Sequence, residues 1–182
     1  MIRRLVPADA PAYRALMLDA YGRHPTAFTS TVADREALPL SWWAARLSDA
    51  AGAIDAVFGA YSDAYSDAYS DATLAGVAGI EFGSRDKTRH KAELFGMVVA
   101  SRAQGRGIGH ALADAAIDHA RRCGAALVQL TVTQGNVAAV RLYERCGFTV
   151  FGVEPLAIRV GDDYLSKVHM WCDLRSPPGV RP

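Results

Sequence analysis

The spacing of apolar residues changes repeatedly along this chain, and each change predicts an element. Residues 2–6 read as a short first strand. Asp9 follows at a helix-cap position, ahead of Tyr13, Leu16, Met17 and Ala20, which share one face at helical spacing. Residues 24–31 lack periodicity and read as a loop, and residues 40–47, with Trp42 and Trp43, as a second helical segment. Residues 54–61 and 73–82 read as strands, and the apolar run 92–100 as the central strand. Helical spacing returns over 107–122, with Ile108, Ala111, Leu112 and Ala115 directed inward. A strand over 126–133, a helix over 137–145 and a strand over 148–154 come next. Residues 158–160 and 164–174 then flank Gly161-Asp162-Asp163 as a final hairpin.

Composition narrows the class. At 182 residues and 51% hydrophobic, the chain can bury a sizeable core and reads as one domain over 1–174. A formal charge of +1 offers no patch for nucleic acid or a membrane surface. Arg3 and Arg4 open the chain, but Pro7, Asp9 and Arg14 interrupt any apolar run, so no signal peptide is expected. No stretch approaches the roughly 20 apolar residues of a membrane span. Cys123, Cys146 and Cys172 are scattered and lack metal spacing, which predicts buried free thiols in a reducing cytosol and a cytoplasmic location. His24, His90, His119 and His169 show no ligand spacing either. Residues 61–72 repeat Tyr-Ser-Asp-Ala three times, which reads as an expanded hairpin loop without a role of its own. Residues 175–182 read as a flexible C-terminal tail.

The richest stretch is Gln104-Gly105-Arg106-Gly107-Ile108-Gly109-His110, which joins the central strand to the long helix. Such a turn presents bare N–H groups, at the positive end of a helix dipole, to a phosphate. A phosphate-loop NTPase needs Gly-Lys-Ser/Thr, and Gly109-His110-Ala111 lacks both the lysine and the hydroxyl. A dinucleotide fingerprint counted from Gly105 needs its third glycine at 110, not 109. What fits is Gln-x-x-Gly-x-Gly, as Gln104, Gly107 and Gly109.

That spacing resembles the acyl-CoA pyrophosphate loop of the GNAT N-acetyltransferase superfamily. The stretch Asn136-Val137-Ala138-Ala139-Val140-Arg141-Leu142-Tyr143-Glu144-Arg145-Cys146-Gly147-Phe148 is similar to that family's second block. Glu93, eleven residues before Gln104, stands where several members keep a general-base glutamate. The likeness is strong over residues 90–150, and the order of elements agrees from residue 2 to about 174. It implies an α/β (α+β) GNAT fold, with a central mixed, mostly antiparallel, twisted sheet of about seven strands flanked by about four helices. It also implies acetyl-CoA as acyl donor, no metal, and direct transfer to a primary amine of a small molecule, amino acid or peptide. A non-catalytic acyl-CoA-binding module is the alternative. Monomer and homodimer both fit, since the C-terminal strands can pair across a dimer.

Acetyl transfer demands a neutral amine. A lysine-like amine at pH 7.4 is neutral about one time in a thousand, a deficit of roughly 4 kcal/mol that a base or a desolvating pocket must recover. Glu93 is the candidate base, sharing a strand face with Phe95, Met97 and Val99 if alternation holds. Tyr143 is the candidate acid, since a phenol stays protonated at working pH and can hydrogen-bond a departing sulfur. The resemblance assigns the cofactor to the backbone of Met97, Val98 and Val99, the turn Gln104, Gly105, Arg106, Gly107, Ile108, Gly109 and His110, and Asn136, Ala139 and Tyr143. The acceptor is expected among residues 24–31, Trp42–Trp43 and the final hairpin, with Phe28, Trp42 and Glu154 as candidates.

Overall fold

The computed structural model describes residues 1–50, 52–62 and 73–175. Its strands are β1 (Ile2–Arg4), β2 (Ala56–Ser62), β3 (Thr73–Phe82), β4 (Lys91–Val99), β5 (Leu127–Thr133), β6 (Thr149–Val160) and β7 (Asp163–Asp173). Its helices are α1 (Ala10–Arg23), α2 (Val32–Glu36), α3 (Leu40–Ala45), α4 (Ile108–Arg122) and α5 (Val137–Arg145), with single 3-10 turns at Pro7–Asp9 and Ser101–Ala103. The strands form one seven-stranded sheet in the order β1-β2-β3-β4-β5-β7-β6. Pairing is antiparallel except between β4 and β5, which run parallel because α4 carries the chain across. This is the mixed, mostly antiparallel sheet that the resemblance implies.

Several details differ from the sequence expectation. The helices number five among the described residues, because residues 32–36 also coil. Thr31 and Asp34 close that helix as a reciprocal cap: Asp34 N–H donates to Thr31 Oγ1 at 3.2 Å, and Thr31 N–H to the Asp34 carboxylate at 2.9 Å. Residues 149–160 are one strand rather than two, with a register break between Glu154 and Ile158 where Leu156 takes φ 55°. Asp9 precedes α1 without capping it. Its carboxylate instead accepts from Arg3 at 2.7 and 2.8 Å, the Val6 N–H at 2.8 Å and the Tyr61 hydroxyl at 2.9 Å. In α4 the inward face is Leu112, Ala113, Ala116, Ile117 and Ala120, whereas Ala111 is exposed. Of the three cysteines, all free, only Cys172 is buried; Cys123 is exposed and Cys146 half-buried. The Tyr-Ser-Asp-Ala expansion from residue 63 and the tail from residue 176 lie outside the described residues.

Two apolar layers sandwich the sheet. One joins α4 and Tyr143 of α5 to Ile80, Leu94, Val128, Leu130 and Met170. The other joins α1 and Trp43 of α3 to Leu5, Val57, Leu74 and Val77. Small residues let α4 approach closely: a Cβ on Gly76 of β3 would stand 2.8 Å from the Val98 carbonyl oxygen and 3.0 Å from Leu112.

The sheet has one irregularity that shapes everything nearby. Gly79 of β3 faces Phe95, but Val77 faces Val98, so one residue of β3 opposes two of β4. The extra residue is accommodated at Gly96, whose φ of 57° suits glycine. The bulge exchanges the faces beyond it. Phe95 and Val98 pack toward α1 and α3, while Met97 and Val99 pack toward α4. Simple alternation therefore fails past Gly96, and Glu93 shares its face with Phe95 but not with Met97 or Val99. At the same place β4 leaves β5: their register runs only from Lys91↔Leu127 to Glu93↔Gln129. Beyond that point a cleft opens between them.

Candidate active site

The cleft has two connected parts. The first, about 330 Å³, is lined by Glu81, Glu93, Phe95, Trp42, Lys167 and Tyr143, among others. The second, about 670 Å³, runs past Met97, Val98, Val99, Gln104, Asn136 and Ala138. Ala27, Phe28, Met97, Thr133 and Asn136 line both, so the parts meet at the splayed edge of β4. The loop before α2 is fastened over this junction. Thr133 Oγ1 donates to the Thr26 carbonyl at 2.7 Å, and Lys167 Nζ to Thr29 Oγ1 at 2.9 Å.

On the α4 side the offered groups are mainly backbone. Gly105 and Gly107 both take φ 76°, and Gly107 is the left-handed N-cap of α4, with no side chain bonded to the first turn. The N–H groups of Ile108, Gly109 and His110 thus stand at the positive end of a 15-residue helix. Gln104, Gly105, Arg106 and Gly107 are exposed. Gln104 turns its amide back to the Val99 carbonyl at 3.2 Å, tying the turn to the end of β4. Gly109 is buried, and a Cβ there would meet Leu142 at 2.8 Å and Met97 at 3.3 Å, so it also serves the packing of α4 on α5. The His110 ring bonds Asp114 at 2.8 Å, leaving its backbone at the turn. His110, Asp114 and Cys146 converge within 4.8 Å, a grouping that spacing along the chain did not reveal. The His110–Asp114 bond accounts for two of them, and burial pushes the Cys146 thiol up to about 11.

Asn136 caps α5, accepting the Ala139 N–H at 3.1 Å. One turn on, Tyr143 is buried, and its hydroxyl reaches Met97 Sδ at 3.3 Å. Burial, with Cys146 nearby, raises the phenol above its ordinary range, so it remains protonated.

On the opposite face, Glu93 sits directly across from Glu81 in the β3–β4 register. Partial burial raises the Glu93 carboxyl, and Glu81 raises it further; His169 and Lys167 pull the other way. Burial lowers the Lys167 ammonium against the opposing pull of Glu154 and Glu93. Glu154 lies on β6 opposite Lys167 and pairs with His169 at 3.0 Å. Phe28 stacks edge-on to Tyr21 at 4.9 Å, and Trp42 edge-on to Trp43 at 5.2 Å. Trp43 is core, only 1% exposed. Residue-by-residue reading missed Arg35 and Arg46, which line the same cleft with Tyr13 and Tyr21. No local motif marks them; their signal is that α2 and α3 fold over the bulge.

These elements suit a long ligand with a phosphate at one end and a reactive group at the other. A model of the acetyltransferase (GNAT) family matches residues 19–148, and the chain belongs to that family. A mycothiol acetyltransferase of Renibacterium salmoninarum is 32% identical over 150 residues, spanning 81% of this chain and 40% of the relative. An L-methionine sulfoximine/L-methionine sulfone acetyltransferase of Salmonella typhimurium is 38% identical over 71 residues, 39% of this chain and 37% of the relative. A Salmonella typhimurium acetyltransferase solved with its cofactor acetyl-CoA superposes with TM-score 0.76 at 25% identity, covering 100% of this chain and 97% of that one. The chain spans 40% or less of the length of the curated relatives it matches. Among the described residues no helix is long and apolar enough to cross a membrane.

Proposed function

We propose that this chain transfers the acetyl group of acetyl-CoA directly to a primary amine of a small molecule, amino acid or peptide. One observation carries the reading: where β4 leaves β5, the Glu93 carboxylate and the Tyr143 phenol line one cleft, next to the uncapped N-terminus of α4. The residues present fit acetyl-CoA. The Gly105–Gly107 turn has open space around both glycines, and the edge of β4 beyond Glu93 has no register partner in β5. Bound there, acetyl-CoA would supply an activated thioester.

Each group in the chain then has a task. First-turn N–H groups of α4, with Arg106 beside them, hold the pyrophosphate. The backbone of Met97, Val98 and Val99 pairs with the amide-rich arm as an added strand would and points an N–H at the thioester carbonyl. Asn136 and Ala139 border the arm from α5. Glu93 takes a proton from the acceptor ammonium, directly or through water, and its raised pKa brings it nearer the working range of a base. Tyr143, kept protonated by burial, hydrogen-bonds the departing sulfur. In this structure that phenol already donates to a sulfur, that of Met97.

The test is release of free thiol from acetyl-CoA with a panel of amino acids, polyamines, aminoglycosides and short peptides. Turnover with at least one amine is expected. A Tyr143→Phe variant should keep its affinity for acetyl-CoA and lose about 100-fold in kcat. Binding of acetyl-CoA by calorimetry without transfer to any amine would replace the enzyme with a binding module.

A further inference from the structure

The acceptor part of the cleft is charged oppositely at its two ends. At one end Glu81 and Glu93 face each other across β3 and β4. At the other, the guanidiniums of Arg35 and Arg46 lie 4.8 and 4.9 Å from the centre of the Trp42 ring, and Arg46 also lies 4.9 Å from the centre of the Phe95 ring. All of these side chains line the same cavity. Alternation puts Phe95, which precedes the bulge, on the Glu93 face, two strand residues or roughly 7 Å along β4, and Arg46 stacks on that ring.

The arginines lack what arginines in such a place normally have. Among the described residues neither joins an ion pair, and the Arg35 Nε is buried without a hydrogen-bond partner. Their polar neighbours include the phenols of Tyr13 and Tyr21, raised by burial against the pull of both arginines, and the exposed Asp34, whose carboxyl is lowered mainly by its bonds to Thr31 and only weakly by Arg35. Two guanidiniums held by stacking, next to phenols and without an ion-pair partner among the described residues, form a receptor for a carboxylate. Gly79 contributes by having no side chain. A Cβ there would lie 2.4 Å from the Phe95 ring and displace the platform on which Arg46 rests.

We infer that the acceptor is a zwitterion: a primary amine that places its ammonium at Glu81 and Glu93 and its carboxylate at Arg35 and Arg46. This deepens the proposed function and rests on it, since the amine must be the group acetylated. Arg35 and Arg46 become specificity-determining residues of the acceptor site. Lys167, beside Glu93 in the same cavity, gives one of its three N–H donors to Thr29 Oγ1 at 2.9 Å, and burial lowers its ammonium.

The experiment compares δ-aminovalerate and L-glutamate with n-pentylamine and cadaverine, read by thiol release and, separately, by calorimetric binding to the acetyl-CoA-loaded protein. The amines that carry a carboxylate are expected to exceed n-pentylamine at least tenfold in kcat/KM. Arg46→Gln and Arg35→Gln should each lower that ratio at least tenfold, mostly through KM, and Arg46→Lys should restore part of it. Acetyl-CoA affinity, measured alongside, should not move. Equal transfer to amines with and without a carboxylate, or a ratio untouched by both arginine variants, would overturn the subsite while leaving acetyl transfer intact. Arginine-dependent binding of δ-aminovalerate without any thiol release would overturn the transfer reading and keep the subsite. Absence of both binding and transfer would overturn both.

Discussion

On the α4 side of the cleft, from Gln104 to Gly109, the groups on offer are main-chain donors held open by two left-handed glycines. On the α1–α3 side they are carboxylates, guanidiniums and rings, drawn from α1, α2, α3, β3, β4 and β7. The first arrangement is compact in sequence and recognises by backbone shape, so it suits a ligand that never changes. The second assembles distant residues and can be altered one side chain at a time. A single scaffold can thus keep a fixed donor and vary its acceptor.

The sharpest way to break this contrast is at the point where the sides meet. Glu93→Gln should lower kcat by about 100-fold or more, the usual scale for a general base, with acetyl-CoA affinity unchanged. A loss of donor affinity instead would mean that Glu93 belongs to the other side. Next comes the turn itself. Aspartate and asparagine both tolerate left-handed backbone, so Gly107→Asn tests the strain and Gly107→Asp adds only charge. Calorimetry should show acetyl-CoA binding weakened roughly 10–100-fold more by Asp than by Asn. Equal affinities would remove the phosphate from this turn.

A pH profile sharpens the acceptor side further. If Glu93 is the base it works only when deprotonated, so kcat/KM should rise with pH through its raised pKa. Burial sets most of that elevation and Glu81 adds to it. Glu81→Gln removes the added part, and the acidic limb should therefore move to lower pH while keeping its slope. A limb that stays in place would show that another group controls it. The smallest effect is expected at Gly109→Ala. Its Cβ would press on the flexible ends of Leu142 and Met97, costing about 1 kcal/mol in denaturant unfolding after the gain in helix propensity. Donor affinity should change less than about twofold, separating a packing glycine from the two in the turn.

Much of the fold was legible because its signals are local. The strand–turn–helix at Gln104–Gly109 and the helix opening at Asn136 are contiguous stretches whose meaning needs no tertiary context. The Thr31–Asp34 cap was equally readable and was passed over, which is why α2 escaped notice. The facing of Met97 and Val99 was misread because alternation counts residues, whereas a bulge adds one; Gly96 inside an apolar strand was the available warning. Asp9 looked like a cap by position, and only the return of β1 and β2 beside it shows why its carboxylate turns to Arg3 and Tyr61 instead. Arg35 and Arg46 could not be singled out at all. On paper they are ordinary polar positions, and their meaning comes from the Trp42 and Phe95 rings they stack on and from having no ion-pair partner among the described residues.

The short β4–β5 ladder is also a seam in the backbone hydrogen bonding of the sheet. Three register pairs make up that ladder, extended at one end by the Ala126 N–H bond to the His90 carbonyl at 2.7 Å, while the apolar layer under α4 spans both sides of it. Such a seam separates cooperative units, so amide hydrogen exchange should fall into two groups with different opening free energies. A ligand lying along the edge of β4 and touching α5 would then act as a rivet, slowing exchange on both sides of the seam at once.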